Sequence, residues 1–144
     1  MKETEFKNVV CLDFDGVIYS FSSGWVGDES NLPDEPVKGA RWAVKELREK
    51  FNLKVIVYSA RCETEKGRKA IKEWLKKYDI KVDGVAEHKP IAFVYVDDRG
   101  LNFDGNWVRM LPDIVGFISY MDYGKGKGGG ILNKQKDNHS QEWI

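Results

Sequence analysis

Val9-Val10-Cys11-Leu12-Asp13-Phe14-Asp15-Gly16 is the stretch on which the fold turns. Four apolar residues, β-branched at the start, run without a polar break and stop at a carboxylate. So short and continuous a run suits a strand buried on both faces, the kind found in parallel sheets. Downstream the period changes. Val37, Ala40, Val44, Leu47 and Phe51 recur at three and four, which predicts an amphipathic helix over 37–51. Leu53 to Tyr58 predicts a second strand ending at Ser59. Residues 63–78 predict a second helix with Ala70, Ile71, Trp74, Leu75 and Tyr78 as its apolar stripe. Val82 and Val85 allow a short third strand, and Ile91 to Val96 predicts another, ending at Asp97. Asp104-Gly105 signals a tight turn, and Pro112 would open a last helix over 112–121. Alternating strands and helices argue for an α/β domain, a central parallel sheet with helices on both faces.

The excursion from Gly16 to Pro36 holds three glycines, two prolines and several serines, with a small hairpin expected near Val17 to Trp25. A loop this long inside a compact domain usually has a functional role or is disordered. From Gly124 the composition shifts to GKGKGGG and then a polar run, too poor in apolar groups to repay the entropy of ordering. The expected organisation is therefore one domain over 1–123 and a flexible Gly/Lys-rich tail over 124–144. A basic arm that touches phosphate is the alternative reading of that tail.

Lys+Arg and Asp+Glu both number 23, so the formal net charge is zero. That balance argues against long polyanions held by global electrostatics, though it leaves room for a local basic patch. No run of 18 apolar residues is present, so no membrane span is expected. The opening MKETEFKN has no apolar h-region of a secretory signal. Two cysteines, Cys11 and Cys62, are too few for a disulfide framework or a zinc site of the usual spacing. These points together favour a reducing, cytoplasmic setting.

Chemistry-bearing residues gather at the strand ends. The first strand runs into Asp13 and Asp15, the second into Ser59 and Arg61, and the last into Asp97, Asp98 and Arg99, with Lys89 just before it. In an open parallel sheet, ligands bind outside the carboxyl ends of the strands. Several carboxylates on one rim repel one another unless a cation neutralises them. A hard divalent ion such as Mg²⁺ takes oxygen ligands, commonly carboxylates together with water and phosphate. A serine and a lysine alongside would bind the phosphate oxygens the metal does not reach.

Those residues resemble a known family. Asp13-Phe-Asp-Gly-Val-Ile18 is similar to the first signature of the haloacid dehalogenase-like (HAD) phosphohydrolases. Ser59 after Val55-Ile-Val-Tyr58 matches the second, Lys89 the third, and Asp97-Asp98 after Phe93-Val-Tyr-Val96 the fourth, all in the family's order. The resemblance covers residues 8 to about 120 and is closest to small capless members from bacteriophage and bacterial genomes. It rests there on DFDGVI, Ser-Gly-Trp25, a Pro-rich approach to the first helix, and Asp97-Asp98-Arg99 with Phe-Asp-Gly following.

The resemblance implies a Rossmann-like three-layer sandwich without a large cap, and a Mg²⁺-dependent phosphatase working through an aspartyl-phosphate. Asp13 would be the nucleophile and Asp15 the general acid and base. Asp13, Asp15 (through its carbonyl), Asp97 and Asp98 would hold the metal, and Ser59 and Lys89 the phosphoryl oxygens. Arg61, Tyr19 and Trp25 are candidates for substrate contact. Without a cap the site should be open, to a phosphorylated small molecule or a nucleic-acid end.

Each residue also has a plainer reading. Asp and Gly favour turns, Ser59 suits a helix N-cap, lysines are usually solvated, and the aromatics after Asp15 can simply pack on one another. His88 is expected to be a surface residue and Arg99 a partner for a rim carboxylate. The competing function is a non-catalytic, metal-binding HAD-like module that acts through a partner. A receiver-like phosphoacceptor is disfavoured by motif order, because the Asp pair here comes last and Lys89 precedes its strand.

Overall fold

A computed structural model describes residues 7–122. The chain divides into two compact units, Met1–Asp97 and Asp98–Ile144. The tail expected over 124–144 lies outside the described residues. Among the described residues no helix is long and apolar enough to cross a membrane.

The first unit is built as β1 (Val9–Leu12), α1 (Ala40–Glu49), β2 (Lys54–Val57), a 3-10 turn (Ala60–Glu63), α2 (Glu65–Lys77), β3 (Gly84–Val85) and β4 (Val94–Val96). Its four strands form one parallel sheet in the order β3-β2-β1-β4. β1 spans the quoted apolar run and is buried along its whole length. The expected alternation of strands and helices around a parallel sheet is therefore present.

The steps β1 to β2 and β2 to β3 run the same way across the sheet. Right-handed crossovers then put α1 and α2 on one face. Val44 of α1 and Ile71, Trp74 and Leu75 of α2 indeed share a single core with Val10, Leu12, Val55 and Val57. Alternate residues Val9 and Cys11 turn to the opposite face, where they cluster with Ala92 and the half-buried Ile56. The expectation of helices on both faces is thus not met within this unit, whose two helices cover one face only. The reason is the β3-to-β4 connection, which crosses back without a helix of its own.

Element ends also differ from the sequence reading. Phe51 was expected to close the stripe of α1, but the helix ends at Glu49. Asn52 takes a left-handed conformation (φ 53°), and Phe51 is left 59% exposed. α2 begins at Glu65 because Thr64 caps it, its hydroxyl accepting from Gly67 N at 3.0 Å. β4 is shorter than expected, starting at Val94.

No hairpin forms between Val17 and Trp25. Instead Ile18 N and Tyr19 N both donate to Phe14 O at 3.0 Å, and isolated bridges join Asp15 to Tyr19 and Tyr19 to Pro36. This tight turn needs a left-handed residue, and Gly16 supplies it at φ 79°. Apolar burial overrides the hairpin: Phe14, Ile18 and Tyr19 all insert into the core. The Phe14 ring stacks on Tyr19 at 5.2 Å and meets Trp74 edge-on at 5.1 Å.

In the second unit the helix is α3 (Trp107–Val115), not 112–121. Asp104 Oδ1 accepts from Asn106 N at 3.0 Å, and Asn106 in turn caps the helix through Arg109 N at 3.1 Å. The Asp104-Gly105 turn therefore launches a helix five residues earlier than expected. Pro112 falls inside it and forfeits one backbone bond, and the helix stops at Gly116.

Candidate metal and phosphate site

Parallel register assembles the acidic group. Leu12 pairs with Val96, so the next residues, Asp13 and Asp97, leave the sheet side by side. Asp13 N donates to Val96 O at 2.9 Å, which carries the ladder one bond further. One carboxylate oxygen from each of Asp13, Asp97 and the adjoining Asp98 lies within 4.8 Å of the other two. Carboxylates this close repel strongly unless a cation or a proton offsets them. Their donor set is all oxygen, which suits a hard divalent cation over a soft one.

Phe14 decides where the neighbouring carboxylates go. Its ring is locked in the core, so Asp13 and Asp15 on either side are turned outward. The Asp15 side chain does not join the acidic group. Arg61 Nε donates to both of its carboxylate oxygens, at 3.0 and 2.9 Å. The Arg61 side chain is almost wholly buried while that of Asp15 is partly open. Arg61 Nη1 donates to Glu29 O at 3.1 Å, and Nη2 has no hydrogen-bond partner among the described residues. A buried guanidinium N–H without an acceptor is costly. Trp25, Tyr19 and Phe21 surround the guanidinium, with ring centroids 4.7, 5.7 and 5.9 Å from Arg61 Cζ.

Ser59 follows β2 on the same rim, since Tyr58 N donates to Leu12 O at 3.0 Å. It is buried, and its hydroxyl accepts from Arg61 N at 3.2 Å, capping the 3-10 turn. The capping role and a place on the rim hold together. Lys89 is exposed, with Nζ 4.4 Å from the Tyr95 ring centroid. The Cys11 thiol senses this whole neighbourhood. It is pushed up from an ordinary 9.0 to about 11, chiefly by burial, with Lys89 acting to lower it and Asp13 and Asp97 to raise it.

Of the candidates for substrate contact, Tyr19 is fully buried, and its hydroxyl donates to Asp34 Oδ2 at 3.1 Å. Trp25 is 58% exposed and Arg61 3%. His88 is exposed, as expected, and Arg99 lies 6.0 Å from the Phe117 ring centroid. Both cysteines are free and buried.

Asp34 escaped the sequence reading, and its setting between Pro33 and Pro36 is the only local hint of it. It pins the loop beside the site. Its carboxylate accepts from Ser23 N at 2.8 Å, from Ser23 Oγ and from Tyr19 OH, while its carbonyl accepts from Trp74 Nε1 at 2.9 Å. Burial pushes the Asp34 carboxyl up, but the bonds from Ser23 and Tyr19 outweigh it and hold it below the ordinary carboxylate value.

No family model, no curated protein and no solved structure matches this chain.

Proposed function

We propose that this protein is a Mg²⁺-dependent phosphatase of the HAD type that hydrolyses phosphate monoesters. The observation that carries the reading is the convergence of Asp13, Asp97 and Asp98 within 4.8 Å at the carboxyl ends of adjacent parallel strands. The four-motif resemblance in the sequence points the same way. Asp13, Asp97 and Asp98 would hold the ion, which would supply positive charge to offset the carboxylates and the phosphate.

In this reading the chain's own residues carry out two displacements. An Asp13 carboxylate oxygen attacks phosphorus, a P–O bond to Asp13 forms, and the bond to the leaving oxygen breaks. The leaving oxygen takes a proton from Asp15. Water then attacks phosphorus and gives a proton to Asp15, and the bond to Asp13 breaks. Inorganic phosphate departs and both aspartates return to their starting states. Charge spreads over the phosphoryl oxygens in each step, and Ser59 and Lys89 would supply donors that already face them. Arg61 positions the Asp15 carboxyl through its double contact.

The test is release of inorganic phosphate from an aryl phosphate with and without Mg²⁺. Turnover should require the metal and vanish with EDTA. Turnover that EDTA leaves unchanged defeats the proposal. Mg²⁺ binding without turnover on any ester tried would favour the non-catalytic module, for which the engaged state of Asp15 is the supporting observation.

A further inference from the structure

Three aromatic residues follow the Asp13–Asp15 turn, and they are not equivalent. Tyr19 is sealed in the core and Phe21 is half-buried, whereas Trp25 keeps more than half its surface in solvent. One face of the Trp25 ring is taken by the Arg61 guanidinium at 4.7 Å. That guanidinium is anchored at Nε by Asp15 and at Nη1 by Glu29 O, so the indole rests on a fixed cation.

We propose that Trp25 and Arg61 form a nucleobase subsite, and that the substrate class is the nucleoside monophosphate; the inference rests on the phosphatase reading above. An indole backed by a cation on one face offers the other to a flat π-system, and every nucleobase has one. A hexose or pentose has none. Two short steps, 2.9 Å from Asp15 to Arg61 and 4.7 Å from Arg61 to the ring, link the reacting end to the platform. The zero net charge favours a single nucleotide over a long strand, whose binding depends on many phosphate contacts.

Titration calorimetry with Mg²⁺ present would compare AMP, UMP and ribose 5-phosphate on the wild-type chain, Trp25→Phe and Trp25→Ala, each checked for folding by circular dichroism. Both nucleotides should bind the wild-type chain about tenfold more tightly than ribose 5-phosphate. Trp25→Ala should erase that difference and Trp25→Phe should keep most of it. Equal affinity for AMP and ribose 5-phosphate in the wild-type chain, or a preference that survives Trp25→Ala, overturns the subsite. Phosphate release measured on the same three compounds separates the two proposals. Trp25-dependent nucleotide binding without release from any ester supports the subsite and defeats the phosphatase. Release with equal KM from AMP and ribose 5-phosphate does the reverse.

Discussion

Asp13 and Asp15 stand two residues apart, both turned out of the core by the buried Phe14 ring between them, but they meet different partners. Asp13 joins Asp97 and Asp98, while Asp15 is held by Arg61. The proposed roles differ accordingly, and so should the variants. Asp13→Asn should abolish turnover on every ester. Asp15→Asn should remove proton delivery to the leaving oxygen, so the loss should be greater for alkyl than for aryl phosphates, whose leaving groups need less help. Steady-state kcat/KM on both ester types checks this, and equal losses count against Asp15 as the acid. The buried hydroxyl of Tyr19 gives a stability prediction at the same scale. Tyr19→Phe takes one bond from Asp34 and leaves Asp34 N without its acceptor. Urea unfolding should show a loss of about 1–3 kcal/mol.

Among the elements, the joint between the 3-10 turn and α2 bears most directly on the site. A Cβ on Gly67 would stand 1.8 Å from Arg61 O, far inside contact distance and against backbone rather than a movable side chain. Glycine is required here by the close approach, not by its own dihedral angles. Gly67→Ala must push α2 away from the turn that carries Arg61. We expect a stability loss of about 1–3 kcal/mol, typical of overpacking. Activity should fall further than the folded fraction accounts for, because Arg61 grips Asp15. Comparing melting temperature with kcat at a temperature where the variant stays folded separates the two effects.

Stability of the whole molecule should fall at both ends of the pH range. On the acid side the buried Asp34 contributes, since its carboxyl is held below its ordinary value of 3.8 by Ser23 and Tyr19 against the opposing push of burial. A depressed carboxyl favours the fold above its unfolded value, and that contribution is lost as pH drops through the lower folded value. On the alkaline side burial raises Cys11 from 9.0 to about 11 and Tyr19 from 10.0 to about 12. The unfolded chain ionises these groups first, so stability should decline from about pH 9 upward. Urea midpoints across pH should show both arms. Cys11→Ala should flatten the first part of the alkaline decline, and an unchanged decline rules out that thiol as its source.

Local patterning was enough to locate β1, the two helices of the first unit and the strand-end positions of Asp13, Ser59 and Asp97, because burial and helical periodicity are written into neighbouring residues. It was also enough to name Arg61 and Trp25 as candidates, though not to say that one would lie on the other. The small hairpin expected near Val17 to Trp25 does not form, because the course of the loop is set by Phe14, Ile18 and Tyr19 entering a core that also holds Val44, Val55, Ile71 and Trp74. Asp34 went unnoticed for the same reason, since its partners Tyr19, Ser23 and Trp74 are brought to it by the fold. The start of α3 depended on a side-chain cap at Asn106 that outweighed the proline signal. Composition and spacing determined which groups stand at the strand ends. Only the parallel register decided that Asp13 would meet Asp97, and only the fold brought Arg61 to Asp15, because both depend on contacts between residues far apart in the chain.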